Sequence, residues 1–286
     1  MNAQFWLIQA FNGVSYGALL FLIGSGLSLI FGVMRIVNLA HGSYFLLGGY
    51  VALSVIGATG SWALSLPVAA VAVAVIGLVM ERVFLRPLGF DPLRQVLLTV
   101  GFAYLFQQAA LDIWGGNNMD INPPEVLQQS VPLGGVYFPL YRLFMIAMAI
   151  VIGVGLWLAM EKTRLGASVR ATVDDAQMAR GVGIDTNRIS MIIFALGTFL
   201  AALGGVIGGG FLGIYPGLDF EMLPLAFAVV IIGGMGSLGG AAIGALAFGL
   251  ADNFGKALFP EVSYFTLYAP MVLILAIKPT GLFGRD

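Results

Sequence analysis

Residues 161–188 read EKTRLGASVRATVDDAQMARGVGIDTNR. They hold five basic side chains (Lys162, Arg164, Arg170, Arg180, Arg188) and four acidic ones (Glu161, Asp174, Asp175, Asp185), in a chain only 9% charged. A stretch so polar between blocks so apolar has to lie in water beside a membrane, because lipid supplies no partner for its charges. It is the place where something soluble can touch the protein.

Outward from that stretch the chain is oily. Of 286 residues 59% are hydrophobic, and the mean hydropathy is +0.98. A soluble domain carries about a quarter charged residues, so this composition belongs to an integral membrane protein. No charged side chain occurs from Met1 to Met34, and from Ile36 to Met80 His41 is the lone candidate for protonation near neutrality. Such runs exceed the ~20 residues that cross a bilayer as helix. Ten-residue alternation is absent, which argues against a barrel. Arg35, the first basic residue, follows the first apolar run, which speaks against a cleavable leader. Without cysteine there is no disulfide framework or thiolate metal site, and a net charge of −1 offers no nucleic-acid surface.

The expected fold class is all-α, a polytopic helical bundle forming one membrane domain over residues 1–286. Candidate spans are 10–31, 37–56, 62–80, 95–114, 138–160, 189–210, 222–235, 238–256 and 262–278. The seventh is too short to cross, so eight or nine segments are expected, one of them a half-helix or re-entrant segment turning at Gly233-Gly234-Met235-Gly236. Nine crossings with the N-terminus outside put 11 of the 13 basic residues, Arg285 among them, on the cytoplasmic side and leave Arg142 and Lys256 outside. The positive-inside bias selects this orientation. The largest outside loop, 115–137, is dense in Asn, Pro and Gly, including Gly134-Gly135, and reads as an irregular cap. Small residues four apart (Gly24, Ser28, Gly32; Gly197, Ala201, Gly205, Gly209; Gly236, Gly240, Gly244) suit close helix packing, with ligand contact as the competing reading.

Within 161–188, Ala167 to Arg180 lacks Gly and Pro. Val169, Val173, Ala176 and Ala179 fall near one helical face, and Arg170, Asp174, Gln177 and Arg180 near the other. One short amphipathic helix is expected, broken at Gly181 and Gly183, with Asp185-Thr186-Asn187 capping the next span. Two readings compete: a helix on lipid headgroups, or one contacting a protein partner. The mixed signs on its polar face suit a protein better.

His41 lies in Asn38-Leu39-Ala40-His41-Gly42-Ser43, and Asn38, His41 and Ser43 are candidates for the translocation path. The competing reading is an interhelical hydrogen-bonding group. Ligand spacing for a metal is missing. Arg142, Asp112, Asp252 and Lys256 fall near span ends, where snorkelling explains them, and no acidic residue maps to a midplane, which counts against an ion-coupled carrier. The only Gly-Lys, Gly255-Lys256, is followed by Ala257, so no phosphate-binding loop exists in this chain, and no catalytic constellation appears either.

Several ordered pieces are similar to one family. Phe11-Asn12-Gly13-Val14-Ser15-Tyr16-Gly17-Ala18, then Ile36-Val37-Asn38-Leu39-Ala40-His41-Gly42, resemble the opening of the permease subunit of bacterial branched-chain amino acid ABC importers. Glu81-Arg82-Val83 with Arg86-Pro87, Arg164-Leu165-Gly166 with Arg170-Ala171, and Gly181 through Arg188 fit it too, as do Ile232 through Gly240 and Lys278 through Gly284. The resemblance implies a multi-pass bacterial inner-membrane protein, N-terminus periplasmic and C-terminus cytoplasmic, that is a transport subunit and not an enzyme. It implies a second homologous permease forming a heterodimer, two cytoplasmic ATPase subunits carrying ATP and Mg, a periplasmic substrate-binding protein, and surrounding lipid. The family's coupling element falls on roughly Ser168 to Asp185, so Arg170, Val173, Asp174, Asp175, Ala176, Arg180, Gly183 and Asp185 are the expected ATPase contacts. Cousins carry urea, short amides or aromatic acids; a stand-alone channel or ion-coupled carrier is the remaining alternative.

Overall fold

The computed structural model describes residues 3–89, 91–133 and 135–284. Arg285 and Gly134, named above, lie outside them. The chain is helical almost throughout: α1 Ala3–Met34, α2 His41–Thr59, α3 Trp62–Val79, α4 Pro92–Trp114, a single turn α5 Glu125–Gln128, α6 Leu140–Lys162, α7 Arg164–Asp174, α8 Ala176–Gly181, α9 Thr186–Leu212, α10 Leu218–Gly233, α11 Leu238–Leu258 and α12 Ser263–Ile277. Among the described residues six helices are long and apolar enough to cross a membrane. A seventh span arises if α10 and α11, bent by 117° at their junction, are taken as one. The expected turn at Gly233 to Gly236 is present, with Gly234 at φ 99° and Gly236 at φ 85°, conformations that a side chain would strain. Helix α10 begins earlier than expected, at Leu218, after the Pro216-Gly217 turn. Helix α12, with 15 residues, is shorter than a span.

Helix α1 is the post around which the rest packs. It touches α6, α9, α10 and α11, and α2 and α3 lean on α9. Its residues from Gly13 to Ile30 are almost all buried, which suits a helix apolar on every face. The small-residue ladders are where neighbours come closest. A Cβ on Gly197 would stand 2.6 Å from Ile30 and 2.8 Å from the carbonyl oxygen of Gly26, so α1 and α9 meet backbone to backbone. Gly32 lies against Gly236, and Gly240 against Gly233. These contacts support the packing reading of the glycines, since in lipid close van der Waals fit is what holds helices together.

The loop 115–137 is more ordered than the irregular cap expected of it. Strands β1 Ser130–Leu133 and β2 Val136–Pro139 pair antiparallel, and a bridge of Met119 to Ile214 ties the loop to the α9–α10 connection. Gly135, at φ 82°, supplies the left-handed residue of a two-residue hairpin turn.

The basic residues gather at one end of the bundle. Arg86 donates to the carbonyl of Asn187 at 3.3 Å, and Arg35, Arg170 and Pro279 border one cleft. At the other end Arg142 bonds Asn12 Oδ1, and Lys256 pairs with Asp252 at 2.8 Å. Asp252 is buried under that lysine and does not snorkel, which corrects the sequence reading: it sits on the face of α11 that packs inside the bundle.

Candidate functional site

Between α6 and α9 the chain leaves the bundle and returns, forming a lever from α7 and α8. The expectation of one continuous helix is corrected, since the backbone breaks at Asp175, with φ −151° and ψ 103°. The apolar period runs unbroken across this point, but the Asp175 carboxylate accepts from the N–H groups of Gln177 at 2.8 Å and Met178 at 2.9 Å, starting a new helix. Thr163 caps α7 in the same way, accepting from Gly166, and Asp185 caps α9, accepting from Arg188 at 3.0 Å.

The base of the lever is pinned. Val169 is buried with Leu29, Leu156, Met160, Ile189 and Ile193, and Leu165 and Val173 pack against them. Gly166 lies so close to Met160 that no side chain fits between. Arg170 does not point away to solvent. It donates to the Met160 carbonyl and approaches Glu161 at 3.8 Å, which places its charge on the C-terminal end of α6, where the helix dipole favours a cation. On the opposite side of the base Glu81, buried in the π-helical turn Met80–Leu85, holds Arg86 at 2.8 Å, and Arg86 reaches Asn187 at the start of α9.

The tip is different. Ala179 is buried and Ala176 half-buried, but Asp174, Asp175, Gln177, Arg180, Gly181, Gly183 and Asp185 are exposed. Two apolar side chains project with them, Met178 at 66% and Val182 at 71% exposure. Helix α8 then closes with Ile184 N–H on Ala179 and Gly183 N–H on Arg180, Gly183 taking φ 89°. This is the glycine-terminated helix end, and it turns the chain back sharply. Of the expected contact residues, then, Arg170 and Val173 serve the base. Asp174, Arg180 and Gly183 belong to the tip, and Asp175 and Asp185 are exposed caps. Met178 and Val182 were not expected; apolar residues four apart on an otherwise polar face were the available signal.

The second candidate cluster is brought together but enclosed. Asn38, His41 and Ser43 are at 0%, 0% and 1% exposure. Helix α2 starts late: residues 35–40 are non-helical and run back into the bundle, so that His41 Nε2 lies 3.0 Å from the carbonyl oxygen of Ile23, roughly 16 Å along α1 from its end at Met34. Asn38 Oδ1 accepts from Ala40 N–H, and Thr99 Oγ1 accepts from Leu39 N–H. Ser43 donates to Asp219 Oδ2 at 2.9 Å, joining the first turns of α2 and α10. Asp219 is 2% exposed. The sequence map began this helix at 222 and so left Asp219 outside it; Pro216-Gly217 before Leu218-Asp219 was the missed helix-start signal. The geometry of His41 is that of an interhelical hydrogen-bonding group. A cleft of about 730 Å³ opens elsewhere, between α1, α6, α7, the α10–α11 turn and residues 279–284, and none of these three residues lines it.

Apolar spans packed on one central helix, with a polar segment at one end, are the architecture of a multi-pass membrane protein. Residues 9–275 match the family described as "Branched-chain amino acid transport system / permease component", and the chain belongs to that family. It is 30% identical to the high-affinity branched-chain amino acid transport system permease protein BraD of Pseudomonas aeruginosa, over 98% of this chain and 96% of that one. With the permease protein LivH of the corresponding system in Escherichia coli it shares 31% identity, over 100% and 98%. The autoinducer 2 import system permease protein LsrC of Escherichia coli is 29% identical over 98% of this chain and 82% of its own. No solved structure matches the chain.

Proposed function

We propose that this chain, as one permease domain, is the membrane-spanning subunit of an ATP-driven importer that carries branched-chain or similar small apolar amino acids inward. The N-terminus lies on the periplasmic side and the C-terminus in the cytoplasm, with eight or nine membrane segments when α10, α11 and α12 are each counted. A homologous permease completes the pathway as a heterodimer, two cytoplasmic ATPase subunits supply ATP and Mg, and a periplasmic binding protein delivers substrate. Helices α7 and α8 dock into the ATPase.

The observation that carries this is the contrast within the lever, a base locked to α1, α6 and α9 and a tip presenting Met178 and Val182 in a ring of charge. A buried base makes the lever rigid enough to transmit force. An exposed apolar pair rimmed by polar groups is how protein contacts are built. The shares of identity with BraD and LivH support the cargo. Asn38, His41 and Ser43 remain candidates for the path only if α2 and α10 separate during transport.

Reconstitution tests it. The chain with its partner permease and ATPases, in liposomes supplied with binding protein, takes up labelled leucine only when ATP is present on the ATPase side. Leucine flux through the isolated chain without ATP would replace this reading by a stand-alone carrier. ATP-dependent uptake of urea, amides or aromatic acids in place of leucine would keep the machine and change the cargo.

A further inference from the structure

The 730 Å³ cleft beside the lever has a composition the transport reading does not use. Phe21, Leu29, Leu156 and Met160 line its apolar depth, and one wall is α7 itself, through Val169 and Val173. In that depth Ser28, at 1% exposure, has a hydroxyl with no hydrogen-bond partner. An orphaned buried hydroxyl costs free energy unless something outside the chain meets it.

At the mouth stands Arg35. It is the one non-glycine among the described residues with positive φ, 54°, and its side chain is exposed. Its guanidinium has no ion pair or hydrogen bond among the described residues. Arg170 also borders the cleft but is engaged by Met160 and Glu161, which leaves Arg35 to meet an outside anion. Among the charged lining residues Arg35 and Arg170 outweigh Glu161, so the cleft is basic on balance. Trp157, another lining residue, is 54% exposed and carries Lys162 Nζ 5.9 Å above its ring. A tryptophan with a lysine over it is the pairing that settles at the headgroup level of a bilayer.

We propose that this cleft binds an anionic glycerophospholipid, its phosphate on Arg35, an ester carbonyl accepting from the Ser28 hydroxyl, and one acyl chain running inward past Leu156 and Leu29 toward Phe21. The space is larger than one small amino acid fills. Its α6 side continues into a surface on which Ile150, Val154 and Trp157 are exposed, and only 17% of the apolar window of α6 is buried, so the slot opens where lipid lies. Basic pockets between membrane helices take anionic headgroups by this charge match. With α7 as a wall, the bound lipid becomes part of the packing that fixes the base of the lever. None of this depends on which cargo is carried.

The experiment uses the full-length chain, purified in mild detergent, exposed to equal amounts of phosphatidylglycerol and phosphatidylcholine, and read by native mass spectrometry. Wild type retains phosphatidylglycerol in preference. Arg35→Gln lowers that retention roughly fivefold, the weight of one basic group at an anionic surface, and Arg35→Lys restores it. Ala242→Phe, which places a ring into the cleft from α11, excludes either lipid. Equal retention of the two lipids by wild type, or undiminished phosphatidylglycerol on Ala242→Phe, overturns the assignment. So does labelled leucine held by wild type and lost on Ala242→Phe, which would give the cleft to cargo.

Discussion

A carboxylate inside an apolar bundle is tolerated only where its oxygens are met, and Asp219 is met on one side. Ser43 donates to Oδ2 at 2.9 Å, the one side-chain hydrogen bond to this carboxylate among the described residues, and the backbone N–H groups of Gly217, Asp219 and Phe220 lie close to it. Position helps: in the first turn of α10 the carboxylate sits at the positive end of the helix dipole. Removing the donor is therefore more costly than the net worth of one hydrogen bond, because it strands the acceptor. Ser43→Ala is expected to destabilise the detergent-solubilised chain by about 1–3 kcal/mol, seen as a lowered thermal midpoint. Ser43→Ala with Asp219→Leu is expected to cost less than the two single changes summed, as partners in one contact do. A midpoint unmoved by Ser43→Ala would mean that this bond does not hold α2 to α10. The cluster was half legible. Asn38, His41 and Ser43 stand together in sequence, but Asp219 is 176 residues from Ser43, and hydropathy alone placed its helix start after it.

At the scale of an element, the lever was legible as charge and illegible as shape. Nine charged residues in a 9% charged chain cannot be anything but water-facing. The break at Asp175 could not be read from periodicity, because Val169, Val173, Ala176 and Ala179 keep the same spacing across it and an aspartate serves a helix interior or a cap alike. That distinction matters for how the tip is probed. A charge reversal at Asp175 removes the α8 cap together with the charge, whereas Asp175→Asn keeps a good cap. On the proposed docking, Met178→Ser with Val182→Ser abolishes co-purification of the ATPase while the thermal midpoint of the chain stays put, since both side chains are already exposed. Asp175→Asn retains the ATPase; Asp175→Ala loses about 1 kcal/mol of local helix stability and part of the binding. Full ATPase recovery with the double serine variant would move the contact off α8.

For the whole molecule, orientation and the number of crossings are one question, and the C-terminal third decides it. Among the described residues length and apolarity single out six helices and falter where spans are bent or short, at the α10–α11 pair and at α12. Contacts say more than length does. Leu282 N–H bonds the Ile232 carbonyl at 2.9 Å and Phe283 N–H that of Gly233 at 3.0 Å, so the tail lies at the same end as the α10–α11 turn, which in turn abuts Gly32 of α1. At the opposite end Phe254 packs on Trp6 with ring centroids 5.6 Å apart. Helix α12 therefore runs from one end to the other although it has only 15 residues. The chain has no cysteine, so single cysteines report cleanly. Placed at the exposed positions Tyr137, Phe259, Gln177 and Phe283, they sample the hairpin, the α11–α12 corner, the lever tip and the tail. With a membrane-impermeant maleimide on intact cells, Tyr137→Cys and Phe259→Cys are expected to react, and Gln177→Cys and Phe283→Cys only after permeabilisation. The reverse pattern inverts the orientation and with it the docking of the lever. If Phe259→Cys and Phe283→Cys report the same side, α12 does not cross, and the tail reaches the α10–α11 turn by some path other than through the membrane.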